Sequence, residues 1–224
     1  MAGEYLLFNL LVAVGPAILS FDRQVHYHNK WGHALTAAAL VAPIFLFWDA
    51  AVTGRHWQFS SEHTLPFRLL GLPIEEWLFF LTVPFACLFV WEILKTKNRA
   101  QQWIDQSQIY LLSGLFVPAA VVLLVVGKEY TGLALLAFGV AVAGDRIVKS
   151  NILQQKRTGH FFILYWLMVL VCNGYLTARP VVIYDSAYQL GFRILTIPIE
   201  DFIYGSAHIL LVLIVYEKLL ARHR

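Results

Sequence analysis

The chain is short of charge. Asp, Glu, Lys and Arg make up 14% of its 224 residues against 59% hydrophobic ones, where a soluble domain carries about 25% charged residues. That shortage excludes a water-facing surface over most of the molecule, and the apolar excess reads as surface made for lipid. Cysteine is scarce as well. Cys87 and Cys172 both lie inside apolar runs, which excludes a disulfide framework or a metal pair and leaves two small buried hydrophobes. The start, Met1-Ala2-Gly3-Glu4, lacks a basic segment before its apolar run, so that run is predicted to be a retained helix and not a cleaved leader. No G-x-G-x-x-G fingerprint follows a strand, and neither a nucleotide-binding loop nor a pair of Asp-rich diphosphate motifs occurs. Flavin-dependent and prenyl-synthase chemistry are thereby set aside, and no cofactor is expected. His26, His28, His33 and His56 lack the close helical pairing of a membrane metal oxygenase, so they read as interfacial histidines and no metal is expected. A retinal Schiff base needs a lysine inside the last apolar stretch, and the one found there, Lys218, stands at its far end. Basic residues are scattered through connections rather than clustered on a face, which excludes a nucleic-acid partner.

What is present is a series of long apolar runs. A bilayer core needs about 20 mostly apolar residues per helix, and seven stretches qualify: Tyr5–Leu19, His33–Val52, Trp77–Leu94, Gln108–Val126, Tyr130–Ala143, Phe161–Thr177 and Phe202–Leu220. The first and fifth are the shortest. An all-α integral membrane protein of about seven transmembrane helices is predicted, in the lipid bilayer as a single domain. The connections divide by charge. One side holds Arg23, Lys30, Lys95, Lys97, Arg99, Arg146, Lys149, Lys156, Arg157, Lys218, Arg222 and Arg224; the other holds Arg55, Arg68, Lys128, Arg179 and Arg193. Basic loops stay in the cytoplasm, so the N-terminus is expected outside and the C-terminus inside.

The chain repeats itself. Pro66-Phe67-Arg68-Leu69-Leu70-Gly71-Leu72-Pro73-Ile74-Glu75-Glu76 precedes the third run, and Gly191-Phe192-Arg193-Ile194-Leu195-Thr196-Ile197-Pro198-Ile199-Glu200-Asp201 precedes the seventh. Asp22-Arg23 after the first run matches Asp145-Arg146 after the fifth, and His33 matches His160. Residues 1–107 and 127–224 therefore read as two three-helix repeats, with 108–126 as a linking helix. Matching helices lie four spans apart and share an orientation, which predicts parallel repeats about a twofold axis along the membrane normal.

Each repeat brings an acid pair to the head of an apolar helix: Glu75 and Glu76, then Glu200 and Asp201. Proline at a first helical position and acids beside it suit a helix start on their own. Duplicated ionisable pairs at the edge of membrane-spanning runs also mark function, because such groups are costly there. Four-residue spacing aligns Glu75 with Phe79, and Glu200 with Tyr204 and His208, and Phe80 follows directly. Glu76 and Asp201 lie about 100° around, so one acid of each pair can face the interior. A carboxyl group walled by apolar rings favours its proton-carrying form, a proton-carrying acid can donate, and aromatic faces can stabilise a cation. Asp49, after Phe45-Leu46-Phe47-Trp48, is either a helix-end acid reaching water or a third site acid; its repeat counterpart falls near Asn173-Gly174. Trp57 and Phe59 are expected near it. Arg68 and Arg193 either pair with the motif acids or anchor their loops at headgroups.

This pattern resembles the lycopene cyclase domain family, the flavin-independent membrane type, in its fused two-unit form. The resemblance rests on Pro73-Ile74-Glu75-Glu76 and Pro198-Ile199-Glu200-Asp201, on Phe47-Trp48-Asp49, on Phe79-Phe80 and on the Phe-Arg segments, and it spans nearly the whole chain. It implies a redox-neutral cyclisation that turns a linear lycopene end into a β-ionone ring, as in γ- and β-carotene synthesis. Glu75, Glu76, Glu200 and Asp201 become the acid/base candidates. Asp49, Trp48, Phe79, Phe80, Tyr204, His208, Arg68 and Arg193 become binding or supporting residues. Relatives that cyclise C50 carotenoids or form other ring isomers keep the exact product open. A small proton-coupled transporter is the other reading, and uptake into vesicles would separate it from cyclisation in a lycopene-making host. Association with a second copy or with other carotenoid enzymes stays open, although a fused repeat removes the need for a heterodimer.

Overall fold

The computed structural model describes residues 3–97, 101, 102, 105, 108, 109 and 114–222. Met1, Ala2, Arg99, Arg224 and residues 110–113 of the Gln108–Val126 stretch lie outside these. Seven α-helices occur among the described residues: α1 (Glu4–Leu19), α2 (Trp31–Val52), α3 (Ile74–Lys97), α4 (Phe116–Val125), α5 (Glu129–Ile147), α6 (Lys156–Ala178) and α7 (Ile199–Arg222). Five of them, α2, α3, α5, α6 and α7, are long and apolar enough to cross a membrane, while α1 and α4 are shorter apolar helices. The fifth run is thus longer than its hydropathy suggested, because α5 continues through Gly144-Asp145-Arg146 to Ile147.

The repeat is built as the sequence predicts, with α1–α3 and α5–α7 as its copies and α4 packed on α5 between them. Within the copies, α1 and α2 lie on α3, and α5 lies on α7; across them, α2 packs along α7 and α3 meets both α6 and α7.

Short strands lead into the motif helices. β1 (Trp57–Phe59), β2 (Arg68–Leu69) and β3 (Leu72–Pro73) precede α3; β4 (Val182–Tyr184), β5 (Arg193–Ile194) and β6 (Ile197–Pro198) precede α7. The motif prolines close two hairpins instead of opening the helices, since Arg68 pairs with Pro73 and Arg193 with Pro198. A proline has no N–H to give, and the last position of a short strand does not ask for one. The next amides turn the chain: Ile74 N donates to Phe67 O at 3.2 Å and Ile199 N to Phe192 O at 3.1 Å. Both turns carry a leucine in the left-handed region, Leu70 at φ 53° and Leu195 at φ 57°.

Strands β1 and β4 join the two halves. They pair antiparallel with Gln58 opposite Ile183, and these residues stand 125 positions apart, as do Glu75 and Glu200. A residue that pairs with its own repeat counterpart lies on the twofold axis. Two ionic clasps flank the axis. Arg179 binds Glu4, the first residue of α1, at 2.8 Å, with Tyr175 donating to the same carboxylate at 2.6 Å. Its mirror is Arg55 on Glu129, the first residue of α5, with His56 Nε2 at 3.1 Å. Burial holds His56 below the ordinary imidazole range, with Glu129 acting in the opposite direction. Near the other ends of α3 and α7, the repeat pair Glu92 and Glu217 shares Lys95.

Candidate active site

The first turns of α3 and α7 carry the motif acids into the protein. Glu75 and Glu200 are completely buried, and both are occupied by their own loops. Leu65 N donates to Glu75 Oε1 at 2.7 Å, and Leu190 N donates to Glu200 Oε1 at 2.8 Å. Thr131 adds a bond to Glu200 at 2.6 Å. The second oxygen of each has no hydrogen-bond partner among the described residues. One residue further on, and so about 100° around the helix, Glu76 and Asp201 face a shared cavity of about 100 Å³.

Tyr5 donates to Glu76 Oε2 at 2.6 Å, and Asp49, on α2, lines the same cavity. Tyr204 donates to Asp49 at 2.8 Å. Asp201 accepts from Tyr130 at 2.7 Å, from Tyr184 at 2.8 Å and from Asn173 at 3.1 Å. The two sets are repeat images. Tyr5 and Tyr130 each precede their acid by 71 residues, and Asp49 and Asn173 hold corresponding places on α2 and α6. They differ in two respects: Asp49 stands in repeat one where repeat two has Asn173, and Tyr184, a third donor to Asp201, stands where repeat one has Phe59.

Around these groups the walls are apolar and aromatic. Phe79, Phe80, Tyr204 and His208 line the cavity, as do Trp57 and Phe59 from β1. The lining on α3 and α7 follows Glu76 and Asp201, because Phe79 and Tyr204 are each three residues after them. His208 packs between Phe45, at 4.7 Å between ring centroids, and Phe80, at 5.0 Å. Its Nε2 is buried without a partner among the described residues. Tyr165 reaches in from α6 over Gly205, where any Cβ would overlap its hydroxyl.

Three of the expected supporting residues stand outside the lining. Trp48 backs the wall, its ring edge-on to Tyr204 at 4.8 Å. Arg68 binds Thr64 at 2.8 Å, and Arg193 binds the Thr196 carbonyl at 2.8 Å and lies over the Tyr184 ring. Neither arginine is hydrogen-bonded to a motif acid in these contacts. Sequence reasoning missed Tyr5, Tyr130, Tyr165, Tyr184 and the bond made by Asn173. A signal for two of them existed: Glu4-Tyr5 recurs as Glu129-Tyr130, at the same 125-residue offset as the acid pairs.

Fold and cavity together define an intramembrane protein with carboxyl groups set in an apolar pocket, fitted to a hydrophobic substrate. The lycopene cyclase family model matches residues 4–94 and 127–219, one match per repeat. The chain belongs to the lycopene cyclase family, and it is a membrane enzyme acting on carotenoids as a cyclase. No curated protein and no solved structure matches it.

Proposed function

We propose that the enzyme closes the linear ends of lycopene to β-ionone rings by proton-initiated isomerisation, with Glu76 as proton donor. The observation that carries this reading is the placement of Glu76, Asp49 and Asp201 in the lining of one aromatic cavity. Carboxyl groups gathered in one apolar cavity do not all ionise, so one of them keeps a proton to give. Glu76 delivers that proton to the terminal double bond of the polyene. The cation that forms lies against the rings of Phe79, Phe80 and Tyr204, whose faces attract positive charge. The neighbouring double bond attacks it, a carbon–carbon bond closes the six-membered ring, and a ring proton is then lost. Asp201, with three donors arranged around it, serves in this scheme as the carboxylate that faces the cation and takes that proton. One proton enters and one leaves, so substrate and product are isomers and no electron acceptor is needed.

Glu75 and Glu200 take a positioning role in this scheme, because their oxygens already hold the loop amides of Leu65 and Leu190. The charge division of the connections supports an orientation with the motif face outside and the basic face in the cytoplasm.

Expression in a lycopene-accumulating host, with pigment analysis, tests the assignment. Glu76→Gln and Asp201→Asn are expected to lower ring formation by about a hundredfold or more, the usual scale of a lost acid or base. Glu75→Gln is expected to retain far more activity, since an amide oxygen still accepts from Leu65 N. Normal ring yield from membrane-inserted Glu76→Gln would remove Glu76 from the donor role.

A further inference from the structure

The acid cavity is sized for the end of a carotenoid and not for its polyene. The remaining chain must lie elsewhere, and one feature of the lipid-facing surface continues from the cavity. Met168 and Cys172 on α6 line the cavity on one side and a second cleft on the other. That cleft is a shallow depression along α6, formed also by Leu164, Leu167 and Val171, with Val90 of α3 at its edge. Every lining side chain is apolar, and Val171 is 73% exposed. Helix α6 is the least buried of the five long helices.

The repeat makes a comparison available. The equivalent helices, α2 and α7, pack more closely than α3 and α6. Ala38, Val41 and Ala42 are buried along α2, and Phe45 is wedged against Tyr204 and His208. Of two helix pairs that pseudosymmetry would make alike, α2 and α7 pack closely and α3 and α6 more loosely, and the looser pair adjoins the acid cavity at Met168 and Cys172.

Building on the carotenoid-cyclase reading, we propose that the cleft along α6 seats the substrate polyene. Its neck at Met168 and Cys172 is the lateral door through which one chain end reaches Glu76 and Asp201. The cleft offers no hydrogen bond, which suits a hydrocarbon chain and penalises a polar one. One door admits one end per binding event. The second end can enter only after the half-closed molecule has left the cleft and returned reversed. The monocyclic carotenoid is therefore released before the bicyclic one is made.

Tryptophan at the neck tests the door. Met168→Trp and Cys172→Trp are expected to cut lycopene conversion about tenfold or more while the protein still inserts, as overpacking of a fitted passage does. Leu40→Trp and Ile44→Trp, on exposed positions of α2, should behave as wild type. Should the neck variants fail to insert, Val171→Trp takes their place, because its exposed side chain needs no repacking; a partial loss is expected. A second readout is independent of turnover. Lycopene should co-purify with Glu76→Gln and be lost when Cys172→Trp is added. A time course should show monocyclic product free in the membrane ahead of bicyclic product.

Unchanged conversion and unchanged pigment in the neck variants would mean that a lipid acyl chain occupies the cleft, and would overturn the proposal. A change in oligomeric size with pigment retained would assign the cleft to a second copy and overturn it equally. A wild type that forms no ring would sink the cyclase reading instead; lycopene retained by Glu76→Gln and lost with Cys172→Trp would still support the seat.

Discussion

At the scale of single residues, the repeat sorts four acids into two kinds. Glu75 and Glu200 spend one oxygen on a loop amide, and Glu76 and Asp201 face the cavity. The tyrosines Tyr5 and Tyr130 aim the second kind. Each phenol makes one charge-capable bond of 2.6–2.7 Å from the same repeat position, and such bonds contribute about 1.5–3 kcal/mol. Tyr5→Phe and Tyr130→Phe are therefore expected to lower turnover by about tenfold to a hundredfold, without loss of bound carotenoid. Pigment analysis beside ring yield distinguishes that from simple unfolding. Equal activity in both variants would mean that the carboxyl groups are aimed by the backbone alone.

At the scale of elements, small residues decide how closely the helices approach. Gly132 on α5 faces α4, where a Cβ would stand 2.8 Å from Leu124 Cγ and 2.9 Å from the Ala120 carbonyl oxygen. A backbone oxygen cannot rotate aside, so Gly132→Ala must part the two helices. The expected cost is about 1–3 kcal/mol, read as a lower unfolding midpoint in detergent. Gly144→Ala is the matched control, because there the nearest atom is 3.7 Å away. The short strands act at the same scale. Hairpins β2–β3 and β5–β6 deliver the chain to α3 and α7 at a set angle, so that the acids fall within the first turn, where they are both buried and close to the cavity.

At the scale of the whole molecule, the axis through Gln58 and Ile183 places both motif helices at one membrane face. Around that axis the halves are fastened by the β1–β4 ladder and by Arg55 and Arg179, each binding the first residue of a helix in the other repeat. The symmetry is broken at Asp49 against Asn173 and in the packing of α3 on α6, looser than that of α2 on α7. The proposed orientation belongs to this scale too. Ser61→Cys, on the exposed connection after β1, should react with a membrane-impermeant maleimide added outside intact cells. Lys149→Cys should react only after the membrane is opened. The reverse pattern would invert the assigned topology.

Much of this could be read from the chain alone. Hydropathy has a length scale set by the bilayer, so the long runs declared themselves, and an acid pair repeated in register with its arginine and proline exposed the duplication. The pattern led to the expectation that one acid of each pair faces the interior, whereas both Glu75 and Glu76 are buried. Which acid of each pair lines the cavity did not follow from it. Four-residue spacing aligned Phe79 with Glu75 and Tyr204 with Glu200, but the cavity takes Glu76 and Asp201, because a neighbouring loop claims the other pair. Periodicity describes one helix at a time, whereas the partners of these acids come from residues as distant as Tyr5 and Tyr184. The looser packing of α3 on α6 was equally invisible, since both helix pairs meet through ordinary apolar residues and differ only in how tightly they pack. Composition and repeats determined a two-unit membrane protein with buried acids; packing between the units decided which acids share a cavity and which side of it faces lipid.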